Sequence, residues 1–177
     1  EMMARALNLA TKGIYTSTPN PSVGCVITQN GEIVGEGYTK PAGGNHAEVE
    51  ALGKVSNPSE CCVYVTLEPC SHDGKTGPCA MALIEAGVSR VVIACEDPNP
   101  LVSGRGIKML EEAGIEVDVG LLEDQARALN QGFIKRCEHR FPWVTIKMAS
   151  SIDGRTAMAS GQSQWVTTPD SRKDVQK

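Results

Sequence analysis

Apolar and polar positions along the chain follow two different periods. Over residues 2–13, Met3, Ala6, Leu7 and Ala10 recur three and four apart, which predicts one buried face of a helix with Gly13 as its stop. The runs 23–28 and 32–38 read as strands flanking Gln29-Asn30-Gly31, and the Asn-Gly pair predicts a tight hairpin turn. The pattern then predicts helices over 45–55, 78–86, 104–113 and 123–132, alternating with strands over 62–67, 90–95 and 115–119. Pro78 opens the second of these helices and Gly87 closes it. Strands separated by helices argue for an α/β layered fold whose sheet is largely parallel after the hairpin. Residues 136–142 are charged, end in Pro142 and read as a seam. Beyond it a strand is expected over 143–149, a turn at Ser151-Ile152-Asp153-Gly154-Arg155, and the opening of a helix at 174–177. A segment of about 35 residues is too short for its own core, so 143–177 reads as the first part of a second domain.

Composition narrows the function classes. With 41% hydrophobic and 21% charged residues in 177, the chain is neither disordered nor fibrous. A net charge of −4 disfavours a grip on long nucleic acid through its phosphates. No apolar run approaches bilayer length, and residues 1–13 lack the series of a signal peptide, so no membrane partner and a cytoplasmic location are expected. Seven cysteines is an odd number, and without a secretory signal metal binding or buried thiols outrank disulfides. Cys25 and Cys95 sit in apolar runs and read as core residues, and Cys61, Cys62 and Cys137 suggest no chemistry.

Three short stretches do suggest chemistry: His46-Ala47-Glu48 at the start of a helix, Glu68-Pro69-Cys70 just past a strand, and Gly77-Pro78-Cys79 at the start of the next helix. One His and two Cys suit zinc, and three protein ligands leave the fourth tetrahedral position for water, as in a catalytic site. Cys79, at a helix N-terminus, is expected to have a lowered pKa. Each residue also has an ordinary explanation. Glu48 can act as a capping partner for Asn45, and Glu50, four residues after His46, shares its helix face, so spacing alone does not choose between the two carboxylates. A structural zinc would need a fourth protein ligand, for which Cys95 and His72 are candidates. Taken together, H-x-E followed by P-C and a later C matches the zinc nucleobase-deaminase pattern. The eight residues between Cys70 and Cys79 differ from the short P-C-x-x-C form, and with the acidic charge they argue against a deaminase of tRNA.

Longer stretches carry a more specific likeness. They are Thr18-Pro19-Asn20-Pro21-Ser22-Val23-Gly24-Cys25, His46-Ala47-Glu48-Val49, Glu68-Pro69-Cys70-Ser71-His72 through Gly74-Lys75-Thr76-Gly77-Pro78-Cys79, Asp97-Pro98-Asn99-Pro100, and Ser151-Ile152-Asp153-Gly154-Arg155-Thr156-Ala157. The chain thereby resembles the bifunctional deaminase–reductases of bacterial riboflavin biosynthesis. The resemblance implies a cytidine-deaminase-like three-layer sandwich with a mixed sheet over 1–140, a zinc-dependent pyrimidine deaminase. Over 143–177 it implies the first part of a dihydrofolate-reductase-like α/β domain, an NADPH-dependent reductase. The implied substrate is a phosphorylated small-molecule pyrimidine, 2,5-diamino-6-(5-phosphoribosylamino)pyrimidin-4-one, deaminated to 5-amino-6-(5-phosphoribosylamino)uracil. The implied roles are zinc ligation by His46, Cys70 and Cys79, proton transfer by Glu48, and substrate binding by Asn20, His72, Lys75, Asn99 and Ser163, with Ala149 and Trp165 touching NADPH. Lys75 is the expected phosphate contact, and a homo-oligomer is the expected assembly.

Overall fold

In the computed structural model, which describes residues 1–72, 77–100 and 102–176, Asn30 and Gly31 both take positive φ, 52° and 85°. They turn β1 (Gly24–Gln29) into β2 (Glu32–Tyr38), as an Asn-Gly hairpin should. The chain divides into two compact units, Glu1–Trp143 and Val144–Lys177.

In the first unit, β3 (Cys62–Val65), β4 (Arg90–Ile93) and β5 (Glu116–Val119) complete a five-stranded sheet of order β2-β1-β3-β4-β5. β1 pairs antiparallel with both β2 and β3, and β3–β4 and β4–β5 are parallel. The sheet is mixed, with its parallel part after the hairpin.

Two glycines on neighbouring strands show how the layers form. A Cβ on Gly24 would lie 1.9 Å from the Ala6 carbonyl oxygen, so α1 (Met2–Thr11) rests directly on β1. A Cβ on Gly37, which faces the other side of the sheet, would lie 2.1 Å from the Ala47 carbonyl oxygen of α2 (Ala47–Leu52). α5 (Glu123–Leu129) joins α1 on its side. α3 (Cys79–Ala86) packs against α2, and α4 (Arg105–Glu112) against α3. Helices on both faces of one sheet make a three-layer sandwich. Its core includes Met3, Ala6, Val26, Ile27, Val63, Val65, Leu83, Val91, Ile93 and Leu110, all fully buried. Cys25 and Cys95 are buried among them, and all seven cysteines are free.

Three expectations need correction. The single helix expected over 123–132 is two, because α6 (Gln131–His139) follows α5 after a break at Asn130 and runs into the segment read as a seam. That break is tertiary in origin: the buried Asn130 carboxamide accepts from the Ser22 amide at 2.8 Å and donates to the Ser22 carbonyl at 2.9 Å, 108 residues away. Local periodicity could not show it. The strand expected over 143–149 is absent, since no described strand pairs with it and an unpaired strand leaves its backbone groups unsatisfied. The last helix, α7 (Pro169–Asp174), ends where its opening was expected. It begins at Thr168, whose hydroxyl accepts from the Ser171 amide, with Pro169 in the first turn.

The second unit is otherwise turns. Ser151 and Arg155 close a loop through the Ser151 amide and Arg155 carbonyl at 2.9 Å, with Gly154 at φ 79°. None of its described residues is buried.

Candidate metal centre and catalytic cavity

The parallel strands β3 and β4 end on the same edge of the sheet, where open α/β sheets place their sites. His46 is the N-cap residue of α2, extended at φ −74° and ψ 163°. Cys70 follows β3, and Cys79 is the first residue of α3, capped by Pro78 and closed by Gly87 at φ 70°. The His46 Nδ1 lies 3.6 Å from the Cys70 Sγ and 3.3 Å from the Cys79 Sγ, and the three donor atoms lie within 4.8 Å of one another. A tetrahedral zinc held at about 2.0–2.3 Å by nitrogen and sulfur needs donors roughly 3.5 Å apart, so the set fits that ion. Among the described residues no fourth His, Cys, Asp or Glu joins the cluster. Cys95 is instead buried, donating to the Thr66 carbonyl at 3.6 Å, and His72 is exposed.

The amide at the helix start, expected to lower the Cys79 thiol, is aimed at Cys70 instead. The amide of Cys79, at the helix start, donates to the Cys70 Sγ at 3.3 Å. Hydrogen bonds from the Cys79 thiol, His46 and that amide outweigh burial and hold the Cys70 thiol low. The Cys79 thiol is pushed up by the same pairing with Cys70, then by burial and the charge of Glu48. The helix N-terminus thus serves its neighbour's sulfur. His46 is raised by its hydrogen bond to Cys70, against burial.

Glu48 and Glu50, which spacing could not separate, are separated by their surroundings. Glu50 accepts from the Asn45 amide nitrogen at 2.9 Å and lies 3.5 Å from the Lys40 Nζ, so Asn45 pairs with Glu50 and does not box with Glu48. Glu48 is 4% exposed and lines a cavity of about 480 Å³ beside His46 and Cys70. Burial pushes its carboxyl up to about 7, with the Cys70 charge adding, and its own backbone amide and His46 opposing. A carboxyl poised there can take and return a proton at neutral pH.

The same cavity is lined by Asn20, His72 and Asn99. Ser163, Ala149 and Trp165 belong to the second unit, where the Arg172 guanidinium sits 4.2 Å from the Trp165 ring. Lys75 lies outside the described residues.

Sequence reasoning assigned no role to Glu68, Asp97, Phe133 or Arg136, all of which line the cavity. The buried Glu68 carboxylate accepts from the amides of Asp97 at 3.1 Å, Gly104 at 3.0 Å, Gly106 at 2.8 Å and Ile107 at 3.3 Å. It caps α4 from the end of the neighbouring strand and fixes the loop that carries Asn99. The available signal was a carboxylate directly after an apolar strand, with no basic residue near it in sequence. Phe133 and Arg136 sit on α6, which extends past the helix expected from the sequence.

Asp97 accepts from the Asn99 amide at 2.8 Å, and burial pushes its carboxyl from 3.8 up to about 6, with the Glu68 charge adding. A carboxyl that holds its proton more tightly folded than unfolded contributes fully below about pH 4 and loses that contribution as pH rises through 6. Asn at this position keeps the acceptor for Asn99 and has no proton to lose. Metal-free Asp97→Asn is therefore expected to exceed the metal-free parent in stability at pH 8 by about 1–3 kcal/mol, and by much less at pH 4. Urea unfolding of both chelated proteins at the two pH values measures this. A variant less stable at pH 8 would show that Asp97 has a cationic partner there.

Comparison with known proteins places these features in a family. The Riboflavin biosynthesis protein RibD of Haemophilus influenzae is 60% identical over 99% of this chain and 47% of its own length. The Acinetobacter baumannii RibD structure superposes with a TM-score of 0.95 at 52% identity, covering 99% of this chain and 49% of that one. A Thermotoga maritima structure, described as a diaminohydroxyphosphoribosylaminopyrimidine deaminase/5-amino-6-(5-phosphoribosylamino)uracil reductase, gives 0.93 at 40% identity over 98% of this chain and 50% of that one. The chain spans about half the length of the curated relatives it matches. The model of the RibD C-terminal domain matches residues 142–177. The model of the cytidine and deoxycytidylate deaminase zinc-binding region matches residues 1–95, a span that contains His46, Glu48, Cys70 and Cys79. By that match over more than half its residues, the chain belongs to the cytidine and deoxycytidylate deaminase zinc-binding family.

Proposed function

We propose that residues 1–140 form a zinc-dependent deaminase of a ribosyl-phosphate-bearing pyrimidine in riboflavin biosynthesis. In this reaction 2,5-diamino-6-(5-phosphoribosylamino)pyrimidin-4-one and water give 5-amino-6-(5-phosphoribosylamino)uracil and ammonia. The observation that carries the reading is the convergence of His46, Cys70 and Cys79 with a buried Glu48 on one cavity. The relatives' similarity selects this substrate class over cytidine.

His46, Cys70 and Cys79 would hold the zinc, which when bound supplies the Lewis acidity that makes water a nucleophile at neutral pH. Glu48 accepts the proton of the attacking water. It returns that proton to the ring nitrogen next to the carbon under attack, and then carries the proton of the newly added hydroxyl to the departing amine, which leaves as ammonia while the carbonyl forms. The 5-amino group survives in the product, so the amine that leaves is the one at position 2. Asn20 and Asn99, which line the cavity, would bind the ring, with the exposed His72 also at the cavity wall. No described helix is long and apolar enough to cross a membrane.

The second unit is read as part of an NADPH-dependent reductase domain over 143–177, with Ala149 and Trp165 toward the cofactor and Ser163 toward the substrate. The match to the RibD C-terminal domain supports this, and an indole with a guanidinium against it suits a phosphorylated aromatic cofactor. NADPH would supply hydride there.

Ammonia release from the phosphorylated diaminopyrimidine, compared with release from cytidine, tests the proposal. Turnover of the former with little or none of the latter is expected. A preference for cytidine would overturn the substrate assignment.

A further inference from the structure

The cavity is not evenly charged. Glu48, Glu68 and Asp97 line it, and the two thiolates that would hold a divalent zinc cancel that ion's charge, so the reacting end offers no surplus positive charge to an anion. Among the described lining residues, Arg136 is the only Lys or Arg. It reaches from α6 to donate through Nη2 to the Pro19 carbonyl at 3.2 Å, across 117 residues of sequence and directly before Asn20. Its guanidinium carbon lies 5.6 Å from the centre of the Phe133 ring on the same helix. A second cavity of about 230 Å³ adjoins the first and shares Pro19, Asn20, Pro21, Phe133 and Arg136 with it. The second cavity also holds the hydroxyl residues Ser17, Thr18 and Ser22, with no Asp or Glu among its described lining. Arg136 therefore stands at the junction, between an acidic, metal-ligating chamber and a neutral, polar one.

We infer that Arg136 reads the phosphate of the substrate, directing the phosphorylated end toward the junction while the ring faces Glu48. The inference rests on the proposed pyrimidine deamination. The guanidinium fork offers paired donors matched to phosphate oxygens, and its exposure suits a group that must enter and leave with each turnover. A contact remote from the reacting carbon acts mainly on KM.

The test compares the parent with Arg136→Met and Arg136→Lys on the phosphorylated diaminopyrimidine and on its dephosphorylated riboside. Zinc content and Tm are monitored, and ribose 5-phosphate binding is measured by calorimetry. Arg136→Met is expected to raise KM for the phosphorylated substrate about 5- to 30-fold more than for the riboside, the range for a partly exposed charged hydrogen bond. It should also weaken ribose 5-phosphate binding, with Arg136→Lys intermediate. An equal KM rise on both substrates would mean that Arg136 acts by holding the Pro19 segment, and would overturn the inference, as would no change. If the parent releases no ammonia from the phosphorylated substrate, the functional reading falls. The calorimetry still judges Arg136: weaker binding in Arg136→Met supports phosphate recognition, and unchanged binding overturns it.

Discussion

Glu48→Gln is expected to keep its zinc and lose its turnover. The Gln side chain has the same shape and fills the same nearly enclosed position on the first turn of α2, so the cavity and the three ligands are undisturbed. It has no carboxylate to accept a proton from water and none to return to the ring or the amine. Removing a positioned acid–base group costs about 10²–10⁴-fold, and here one group serves several transfers, so the upper end of that range is expected in kcat. The matched control is Glu50→Gln. Glu50 is engaged by Asn45 and Lys40, and its loss should change kcat by no more than about threefold, the scale of a surface ion pair. Ammonia release with zinc quantified in the same samples decides the matter. An active Glu48→Gln, or an inactive Glu50→Gln, would move the proton chemistry to a different carboxylate.

Cys79→Ser is expected to lose the metal itself. A neutral hydroxyl is a far poorer zinc donor than a thiolate, and with three protein donors the set has no spare. Zinc after dialysis should fall from near one per chain to a small fraction, and ammonia release should fall with it. Cys70→Ser should behave alike and also deprives the Cys79 amide of its sulfur acceptor. Cys95→Ser, whose thiol meets only the Thr66 carbonyl, should retain its zinc. Stoichiometric zinc in dialysed Cys79→Ser would remove Cys79 from the ligand set.

The parts of the molecule legible in sequence were those with local causes. Asn30-Gly31 forced the hairpin, Gly87 closed α3, and the five strands of the sheet lay where apolar runs had placed them. The donor set was readable because His46, Cys70 and Cys79 carry unusual chemistry at element ends. What escaped depended on distance in sequence. The split between α5 and α6 is made by Asn130 bonding Ser22, and Glu68 meets its amides 29 to 39 residues later. The choice between Glu48 and Glu50 rested on which one was buried, a property that helix spacing does not encode. Likewise, the helix-start amide of Cys79 is aimed at the Cys70 sulfur, which the spacing of the two cysteines does not encode.

The four-amide grip of Glu68 alters which substitutions the chain can tolerate. Cys70 is two residues from Glu68, so the metal loop and the first turn of α4 are anchored to a single carboxylate. Gly104 and Ile107 do not line the cavity, yet exchanging either for a residue that shifts its amide would disturb Cys70 through the one intervening residue, Pro69. The mutational footprint of the catalytic centre is accordingly wider than its surface. It would extend onto the first turn of α4, where intolerance to change would report on the geometry of the Cys70 loop as much as on helix stability.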